Sequence, residues 1–438
     1  MIEKRKNILT YSFTTVFVVI VLCALMLFSF FNPIENKSKI FENELKSVVL
    51  QWNNLSLQLE SKDLDAYPPI VAERYAKMGL ASYRAFESHK NLSNVQKLLL
   101  INQLYSNYLS QFYSKLDKVE KDKIRNLHDI ISHSINSKSN IETASIITLA
   151  NNITNQIDQV LAVSSNNIKD NQCNVLIDND LKFSSPTCLF PKWGLEQNPL
   201  VINNQLVQCK IPYDKAKLNN QINEDALSIY YQSQNPKAED IWIGEFWSDD
   251  LRGLTFSPVG RWISIANQIV AKENISSEDL LKLYMNLGVG FYDASLICWY
   301  NKYKFNILRP KEYIHQHFDK KWKPLHDAPD FPAYPSGHSI FGGVSSKILE
   351  NQFGTDYYFV DESHKNRNEF VGKSRKYNNL NEMAIENAYS RVLLGVHFKA
   401  DCEEGLRLGF EIGKIINQNN YYNTLFDSNL TFNHSKNL

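Results

Sequence analysis

The chain has 438 residues, and its 47 lysines and arginines balance 47 aspartates and glutamates, so the formal net charge is zero. A balanced chain has no global positive field, which excludes attraction to nucleic acid or to an acidic surface by net charge alone. The length is sufficient for a large hydrophobic core, which we expect to divide into two or more lobes.

The N-terminus carries the clearest localisation signal. Lys4, Arg5 and Lys6 precede an uncharged apolar run over residues 8–31, which is long enough to cross a bilayer as a helix. Positive charge ahead of such a helix predicts that the rest of the chain is exported to the periplasm or the cell exterior. No small-x-small pattern follows the run, so an uncleaved membrane anchor over residues 1–34 is favoured over a cleaved signal peptide.

Five cysteines lie outside this anchor, namely Cys173, Cys188, Cys209, Cys298 and Cys402. An exported protein can form disulfides, and the first three fall within one loop-rich stretch. One bridge among those three and three free buried thiols both fit the sequence, because spacing does not fix connectivity. Without a C-x-x-C pair, metal binding by these cysteines is not expected.

Apolar residues recur at three- and four-residue spacing, and no run of alternating strands is visible, so the fold class is predicted to be mainly α. Breaks near residues 68 and 137 divide the N-terminal part into four or five helices, in which no residue looks catalytic. A proline-rich stretch without a long periodic segment follows. The predicted organisation after the anchor is a helical structural layer (35–165), a loop-rich connector (166–234), a catalytic domain (235–420) and a polar tail (421–438).

Three separated fragments carry residues suited to an oxyanion. In the first, Lys302 and Arg309 are seven residues apart. If the segment between them is helical, both cations lie on nearly the same face, and Pro310 then ends the helix. Alone, this pair would be an ordinary basic surface stripe.

The second fragment is Pro335-Ser336-Gly337-His338, which precedes an apolar helix rich in small residues. Ser336 is placed near the helix start, where free backbone amides and the helix dipole favour an anion. Gly337 lets the backbone approach a ligand, and His338 can exchange a proton near neutral pH. A plain helix cap followed by a buried histidine is the alternative.

The third fragment contains Ser390-Arg391, His397 and Asp401. The histidine and the aspartate are four residues apart, so on a helix the carboxylate reaches the imidazole and fixes its tautomer. Arg391 offers a planar two-pronged donor to an oxyanion. A lone His-x-x-x-Asp pair is otherwise more often structural.

Taken in order, Lys-x6-Arg-Pro, Pro-Ser-Gly-His and Ser-Arg-x5-His-x3-Asp resemble the signature shared by vanadium-dependent haloperoxidases and type-2 phosphatidic acid phosphatases, which include soluble acid phosphatases. Every specified position matches, with the correct internal spacings, between residues 302 and 401. The resemblance implies a helical-bundle core of the haloperoxidase and acid phosphatase type. It also implies a cofactor, vanadate, or phosphate held in the same site.

The resemblance assigns a role to each motif residue. The oxyanion would be neutralised and hydrogen-bonded by Lys302, Arg309, Ser336, Gly337 and Arg391. His397 would ligate vanadium in a peroxidase or attack phosphorus in a phosphatase. His338 would be the acid-base residue, and Asp401 would orient the catalytic imidazole.

Residues outside the signature favour a haloperoxidase. Trp299 and Phe331 match aromatic residues that line the halide side of haloperoxidase sites, although core packing is the alternative. Asp293 matches a carboxylate outside the immediate site, and we expect it to pair with a site arginine. The signature region carries too many charges to be membranous, unlike that of lipid-phosphate phosphatases.

The sequence therefore predicts an exported, membrane-tethered haloperoxidase whose partners are hydrogen peroxide and a halide. The alternative is an acid phosphatase that acts on phosphate monoesters or lipid phosphates through a phospho-His397 intermediate. A third possibility, from another class, is a non-catalytic oxyanion-binding protein, but binding alone needs no pair of histidines. No nucleic acid partner is expected, and the helical layer could serve a homodimer.

Overall fold

The computed structural model describes residues 33–136, 143–161, 169–170, 182–202, 207–210, 218–249, 251, 255–365, 373–418 and 420–426. The predicted membrane anchor over residues 8–31 lies outside them. Among the helices of these ranges, none combines the length and the apolar character needed to span a bilayer.

Within the described ranges, five helices make up the N-terminal half, which confirms the predicted number. They are α1 (Pro33–Glu60), α2 (Pro68–Ser88), α3 (Asn94–Phe112), α4 (Lys118–Asn136) and α5 (Thr143–Val160). Local sequence sets their starts. Pro68 opens α2 at a position where a missing N–H costs nothing, and Ser93 forms a capping box with Gln96 ahead of α3.

The predicted connector contains more structure than its sequence suggested. Its described elements are β1 (Lys169–Asp170), β2 (Cys188–Leu189), α6 (Trp193–Glu196) and α7 (Leu218–Gln234). The prediction that this stretch lacks a long helix is wrong, because α7 is 17 residues long. Its many asparagines and glutamines hide a narrow apolar stripe, formed by Ile222, Ala226 and Ile229, which is buried against α11 and α13.

The rest of the chain is helical apart from one small hairpin-like sheet. The elements are α8 (Ala238–Phe246), α9 (Pro258–Lys272), α10 (Ser277–Phe305), α11 (Pro310–His317), α12 (Gly337–Phe353), β3 (Phe359–Asp361), β4 (Arg375–Tyr377), α13 (Leu380–Leu393), α14 (Lys399–Gln418) and α15 (Tyr421–Phe426). The described strands pair only as β1 with β2 and β3 with β4, both antiparallel. The predicted class, mainly α, is confirmed.

One hydrophobic core runs through both halves of the chain. It extends from Phe41 in α1 to Leu425 in α15. Helix α10 lies at its centre, is buried on most sides, and packs against α2 and α12, while α12 packs against α14. The helical layer and the signature helices therefore share a single interior, so the layer supports the site directly.

One local feature departs from the sequence expectations, and a second agrees with one of the two alternatives left open for the cysteines. Residues 421–426, assigned to a polar tail, form α15, whose Tyr421, Tyr422 and Leu425 are buried. Cys188 is disulfide-bonded, whereas Cys209, Cys298 and Cys402 are free thiols. Cys173 lies outside the described residues.

The close approach of α12 and α14 gives a prediction on stability. A methyl group on Gly409 would lie 2.9 Å from Gly343 Cα and would press on the Ile340 carbonyl oxygen. Both obstacles are backbone, so the helices must separate. We expect Gly409→Ala to lower the free energy of unfolding by about 1–3 kcal/mol, measured by denaturant titration.

The matched control is Gly342→Ala, also in α12. A methyl group there meets nothing closer than 3.4 Å, and alanine favours helix, so stability should hold or rise slightly. Equal destabilisation by the two substitutions would contradict this account of the packing.

Candidate active site

The first fragment does not lie on one helix, as the spacing of Lys302 and Arg309 had suggested. Helix α10 ends at Phe305, and Asn306 takes up a left-handed conformation with φ 49°. Arg309 is the residue that precedes α11, and Pro310 begins that helix instead of ending one. The prediction is therefore wrong in its geometry, and a turn between two helices brings the cations together.

Lys302 is fully buried behind the site. Its Nζ donates to the carbonyl oxygens of Pro332 and Ala333, each at 2.9 Å, and of Pro335 at 2.6 Å. Burial lowers the pKa of Lys302 to about 7, and the nearby positive charge of Arg309 acts in the same direction. Lys302 thus connects the first fragment to the second. Because its pKa is lowered to about 7, a nearby charge can change its protonation state near neutral pH.

Arg309 links all three fragments. Its Nε and Nη2 donate to the Phe331 carbonyl at 3.1 and 2.9 Å, and its Nη1 donates to the Val396 carbonyl at 2.9 Å. The same Nη1 lies 3.0 Å from His397 Nε2. Since a guanidinium can only donate, Nε2 must be the acceptor in this contact.

His397 is held from its other side by Asp401. Its Nδ1 lies 3.0 Å from Asp401 Oδ2, and the same oxygen accepts from the Phe398 amide at 2.9 Å. The predicted contact is confirmed, but His397 precedes α14, whereas Asp401 lies in its first turn. With Nε2 as acceptor, Nδ1 carries the proton, so the lone pair of Nε2 faces Arg309.

Both members of this pair have shifted pKa values. Burial, followed by the charges of Arg309, Lys302 and Arg391, holds the pKa of His397 well below its usual range. Burial also raises the pKa of Asp401 to about 7, against the Phe398 amide and the charge of Lys302. The imidazole is therefore neutral at neutral pH and sits in a positive field, which an oxyanion would relieve.

The second fragment is placed by the helix it starts. Ser336 precedes α12, and its Oγ accepts from the Ser339 amide at 3.4 Å, as a cap does. Its own amide donates to the Asp401 carbonyl at 2.9 Å, which joins the second fragment to the third. A side chain on Gly337 would meet only the Trp299 ring, at 3.7 Å, so the backbone is open on this side.

A cavity of about 540 Å³ brings most of these groups together. Its wall includes Arg309, Gly337, His338, Arg391 and His397, together with the aromatic residues Trp299 and Phe331. Lys302 and Ser336 are not part of that wall and are fully buried behind it. Lys302 therefore acts on the cavity through its charge, and Ser336 by capping α12.

The structure supports the aromatic prediction and corrects the one for Asp293. The Trp299 and Phe331 rings lie 5.1 Å apart in the cavity wall, next to Arg309. Asp293, in contrast, accepts backbone N–H groups of residues 200–202 at 2.6–2.8 Å with both of its oxygens. It anchors the connector to α10 and does not pair with a site arginine, so that expectation is wrong.

One part of the wall was not predicted from the sequence. Glu60 and Asp63, from the end of α1 and the turn after it, line the same cavity, although no residue of the helical layer was expected near the site. One signal was available. A glutamate at the last position of a helix is unfavourable to the helix dipole, so its presence there suggests a partner elsewhere.

The donor set fits a tetrahedral or trigonal-bipyramidal oxyanion. The guanidinium groups of Arg309 and Arg391 and the open start of α12 face one cavity and can donate to anionic oxygen, whereas the imidazole of His397 presents a lone pair. Arg391 is held there by donation from Nη1 to the Trp247 carbonyl at 3.2 Å. The Nε2 lone pair of His397 adds the one group that can bond to the central atom.

Comparison with known sequences points to one group of proteins. Residues 282–424 match the family model described as the VCPO second helical-bundle domain. Vanadium chloroperoxidase of Curvularia inaequalis is 24% identical over 215 aligned residues, and the match covers 36% of this chain and 35% of that protein. The vanadium-dependent bromoperoxidase of Ascophyllum nodosum is 29% identical over 91 residues, 19% of this chain and 16% of that protein. The alignments thus span only a minor part of each relative's length.

Solved structures share the fold over nearly the whole of their chains. A bacterial vanadium-dependent iodoperoxidase superposes with a TM-score of 0.71 at 19% identity, covering 85% of this chain and 95% of that one. A bacterial vanadium-dependent chloroperoxidase in its holo form gives 0.63 at 13% identity, covering 84% and 96%. The resemblance carried by the three motifs is therefore confirmed: the chain is similar in sequence to vanadium haloperoxidases and shares the fold of their bacterial members.

Proposed function

We propose that the protein is a vanadate-dependent haloperoxidase, which oxidises a halide with hydrogen peroxide. The observation that carries the proposal is the orientation of His397. Asp401 holds its Nδ1, and its Nε2 accepts from Arg309 at the wall of a cavity shared with Arg391 and His338. Vanadate bound there would supply an electrophilic centre at which hydrogen peroxide is activated toward a halide.

The position of each residue around the cavity suggests its role in binding the oxyanion. Arg309 and Arg391 would bind the oxyanion from the cavity wall, and the amides at the start of α12 would donate to it. Lys302 would stabilise added negative charge from behind, through the field that already lowers the pKa of His397. His397 would bond to the central atom through Nε2, with Asp401 keeping the proton on Nδ1.

His338 is the candidate for proton transfer. It lines the cavity beside Gly337 and is only 7% exposed. Oxidation of a halide by peroxide to hypohalous acid and water consumes one proton, which an imidazole can deliver near neutral pH. Trp299 and Phe331 would form the dry wall against which a poorly hydrated halide rests.

We further propose that the enzyme is exported and tethered by its N-terminal apolar segment. The basic residues before that segment and its length support this topology. The disulfide at Cys188 is in keeping with an oxidising compartment. A homodimer remains a prediction from the sequence.

Activity should depend on His397. We expect protein supplied with vanadate, hydrogen peroxide and iodide or bromide to halogenate a reporter phenol, followed by absorbance. His397→Ala should reduce the rate by at least about a hundredfold, and Asp401→Asn by about 10- to 100-fold, because the imidazole loses its orientation.

His317→Ala is the matched control, since His317 lies exposed at the end of α11, away from the cavity, and its removal should leave the rate unchanged. Absence of halogenation above the His397→Ala level would overturn the proposal. Steady hydrolysis of a phosphate monoester, abolished by vanadate, would then favour the phosphatase alternative.

Oxyanion affinity should fall as pH rises through neutrality. The pKa of Lys302 is lowered to about 7 in the free protein, and a bound dianion would raise it again. Above that pH each binding event must take up a proton, so sulfate affinity should fall by about tenfold per pH unit. Sulfate keeps its charge over this range, and calorimetry reports both the affinity and the proton uptake.

Lys302→Gln should reduce that pH dependence, because one titrating group is gone, while Asp401, whose pKa is also raised to about 7, remains. Lys304→Gln, two residues further along α10 and partly exposed, should leave the slope as it is. A wild-type affinity that does not change between about pH 7 and pH 9 would contradict the role given to Lys302.

The tether gives a separate prediction. In a bacterial host the full chain should sediment with membranes after a high-salt wash and be cleaved by protease added from outside. A chain that lacks residues 1–34 should stay in the soluble fraction. Recovery of the full chain as a soluble protein with an intact N-terminus would argue against an anchor.

A further inference from the structure

The cavity is much larger than an oxyanion and a halide require. Its volume of about 540 Å³ lies within the range of roughly 300 to 1,000 Å³ that small organic ligands occupy in proteins. The part of its wall outside the oxyanion cluster includes Leu189, Asp249, Leu251 and residues 325–330, together with two segments, residues 60–68 and residues 255–258. The two segments come from the end of α1 with the turn after it, and from the start of α9.

Glu60 joins these two segments and has a free bonding position. It is 1% exposed, and its Oε1 accepts from the Ser257 amide at 2.5 Å. Its Oε2 is buried and has no hydrogen-bond partner among the described residues. The amide and the side chain of Ser257 both hydrogen-bond to this carboxylate at the start of α9. The buried Oε2 is still costly without a donor of its own, and a donor from a ligand would relieve that cost.

Among the described residues, no basic side chain forms an ion pair with the Glu60 carboxylate. Arg74 is the nearest positive charge that acts on it, but its Nη1 is committed to Asp63 at 2.7 Å and its Nη2 donates to the Phe112 carbonyl. Burial accordingly raises the pKa of Glu60 to about 7. An added positive charge would restore the ionised carboxylate.

The surroundings of Glu60 are acidic and apolar. Asp63 adds a second negative charge beside Glu60, and two exposed carboxylates line the same cavity, namely Asp330 and Asp327, the latter paired with Lys311 at 3.3 Å. Between these carboxylates the wall is apolar, with Ala66, Tyr67, Pro68, Phe256 and Pro258. An organic anion would be repelled here, whereas a cation with an apolar body matches both features.

We propose that this part of the wall, around Glu60, is a subsite for an organic amine in its ammonium form, with an apolar or aromatic body. The ammonium group would be attracted by Glu60, and the body would lie against Tyr67 and Phe256, with its far end toward the oxyanion cluster. Binding of the amine is independent of vanadate.

The use of such an amine as a halogen acceptor rests on the proposed function. In that reaction a ring carbon of the amine would exchange its hydrogen for the halogen of hypohalous acid. The carbon is oxidised, the halogen is reduced, and the displaced proton leaves with the hydroxide as water. Glu60 takes no part in these bond changes and would only position the acceptor.

The test compares two phenols that differ in charge. Tyramine carries an ammonium group, whereas 4-ethylphenol has the same ring and carbon chain without it. We expect calorimetry on the full chain at pH 8 to show tyramine binding at least about tenfold more tightly, as a charge-assisted contact predicts. Equal affinities of the wild type for the two phenols would overturn the proposal without any substitution.

Glu60→Gln keeps the acceptor for the Ser257 amide and removes the charge, so the preference for tyramine should shrink to less than about threefold. Glu403→Gln is the matched control, since Glu403 is exposed on α14 and does not line the cavity, and it should retain the preference. If Glu60→Gln kept the full preference for tyramine, the ammonium group would be bound by a residue other than Glu60, and the proposed subsite would be wrong.

Halogenation assays then separate the two proposals. With tyramine as acceptor, Glu60→Gln should raise KM and leave kcat nearly unchanged, since positioning alone is lost. Amine binding without halogenation would refute the proposed function and leave the subsite standing. Halogenation without a preference for the amine would refute the subsite alone.

Discussion

The site depends on how the chain solvates buried positive charge. Lys302 and Arg309 are removed from water and are surrounded instead by carbonyl oxygens of residues 331–335 and of Val396. Pro332 and Pro335 in this segment have no N–H, so they add no amide donor beside the cations, and their carbonyl oxygens accept from Lys302. The Pro-rich run before Ser336 therefore supplies, through its carbonyl oxygens, most of the hydrogen-bond acceptors that water would otherwise offer to the two cations.

This arrangement also sets the resting state of the cavity. Carbonyl dipoles stabilise the cations less than a carboxylate would, so Lys302 titrates near neutrality and His397 stays neutral. A bound oxyanion would raise the pKa of Lys302 again, because it supplies the negative charge that the wall around His397 is built to receive. The charge of Lys302 therefore depends on whether an oxyanion occupies the cavity. In the absence of ligand, the Nε2 of His397 carries a lone pair.

Much of the site could be predicted from sequence, because its chemistry is carried by short motifs. The His397–Asp401 contact needs only four residues of separation, and the capping role of Ser336 needs only the helix that follows. The geometry of Lys302 and Arg309 was missed, although Asn306 is a residue type that adopts the left-handed conformation and so ends a helix.

The remaining errors involve partners far apart in the chain. Asp293 finds its donors in residues 200–202, about ninety positions away, and Glu60 finds Ser257 across 197 positions. No periodicity or local spacing records such pairs, because they arise when helices pack. The helix α7 was missed for a different reason, since its buried stripe is narrow among polar residues.

Because the core is shared, substitutions in the helical layer would affect the stability of the whole protein. Trp52 in α1 donates to Asn102 in α3, deep in the helical layer, yet both belong to the interior that also holds α10 and α12. Weakening that distant contact would lower the fraction of folded protein, whereas the molecules that remain folded would keep their normal activity. A screen for inactive variants would therefore return many substitutions with normal turnover per folded molecule, scattered through the half of the chain that has no signature.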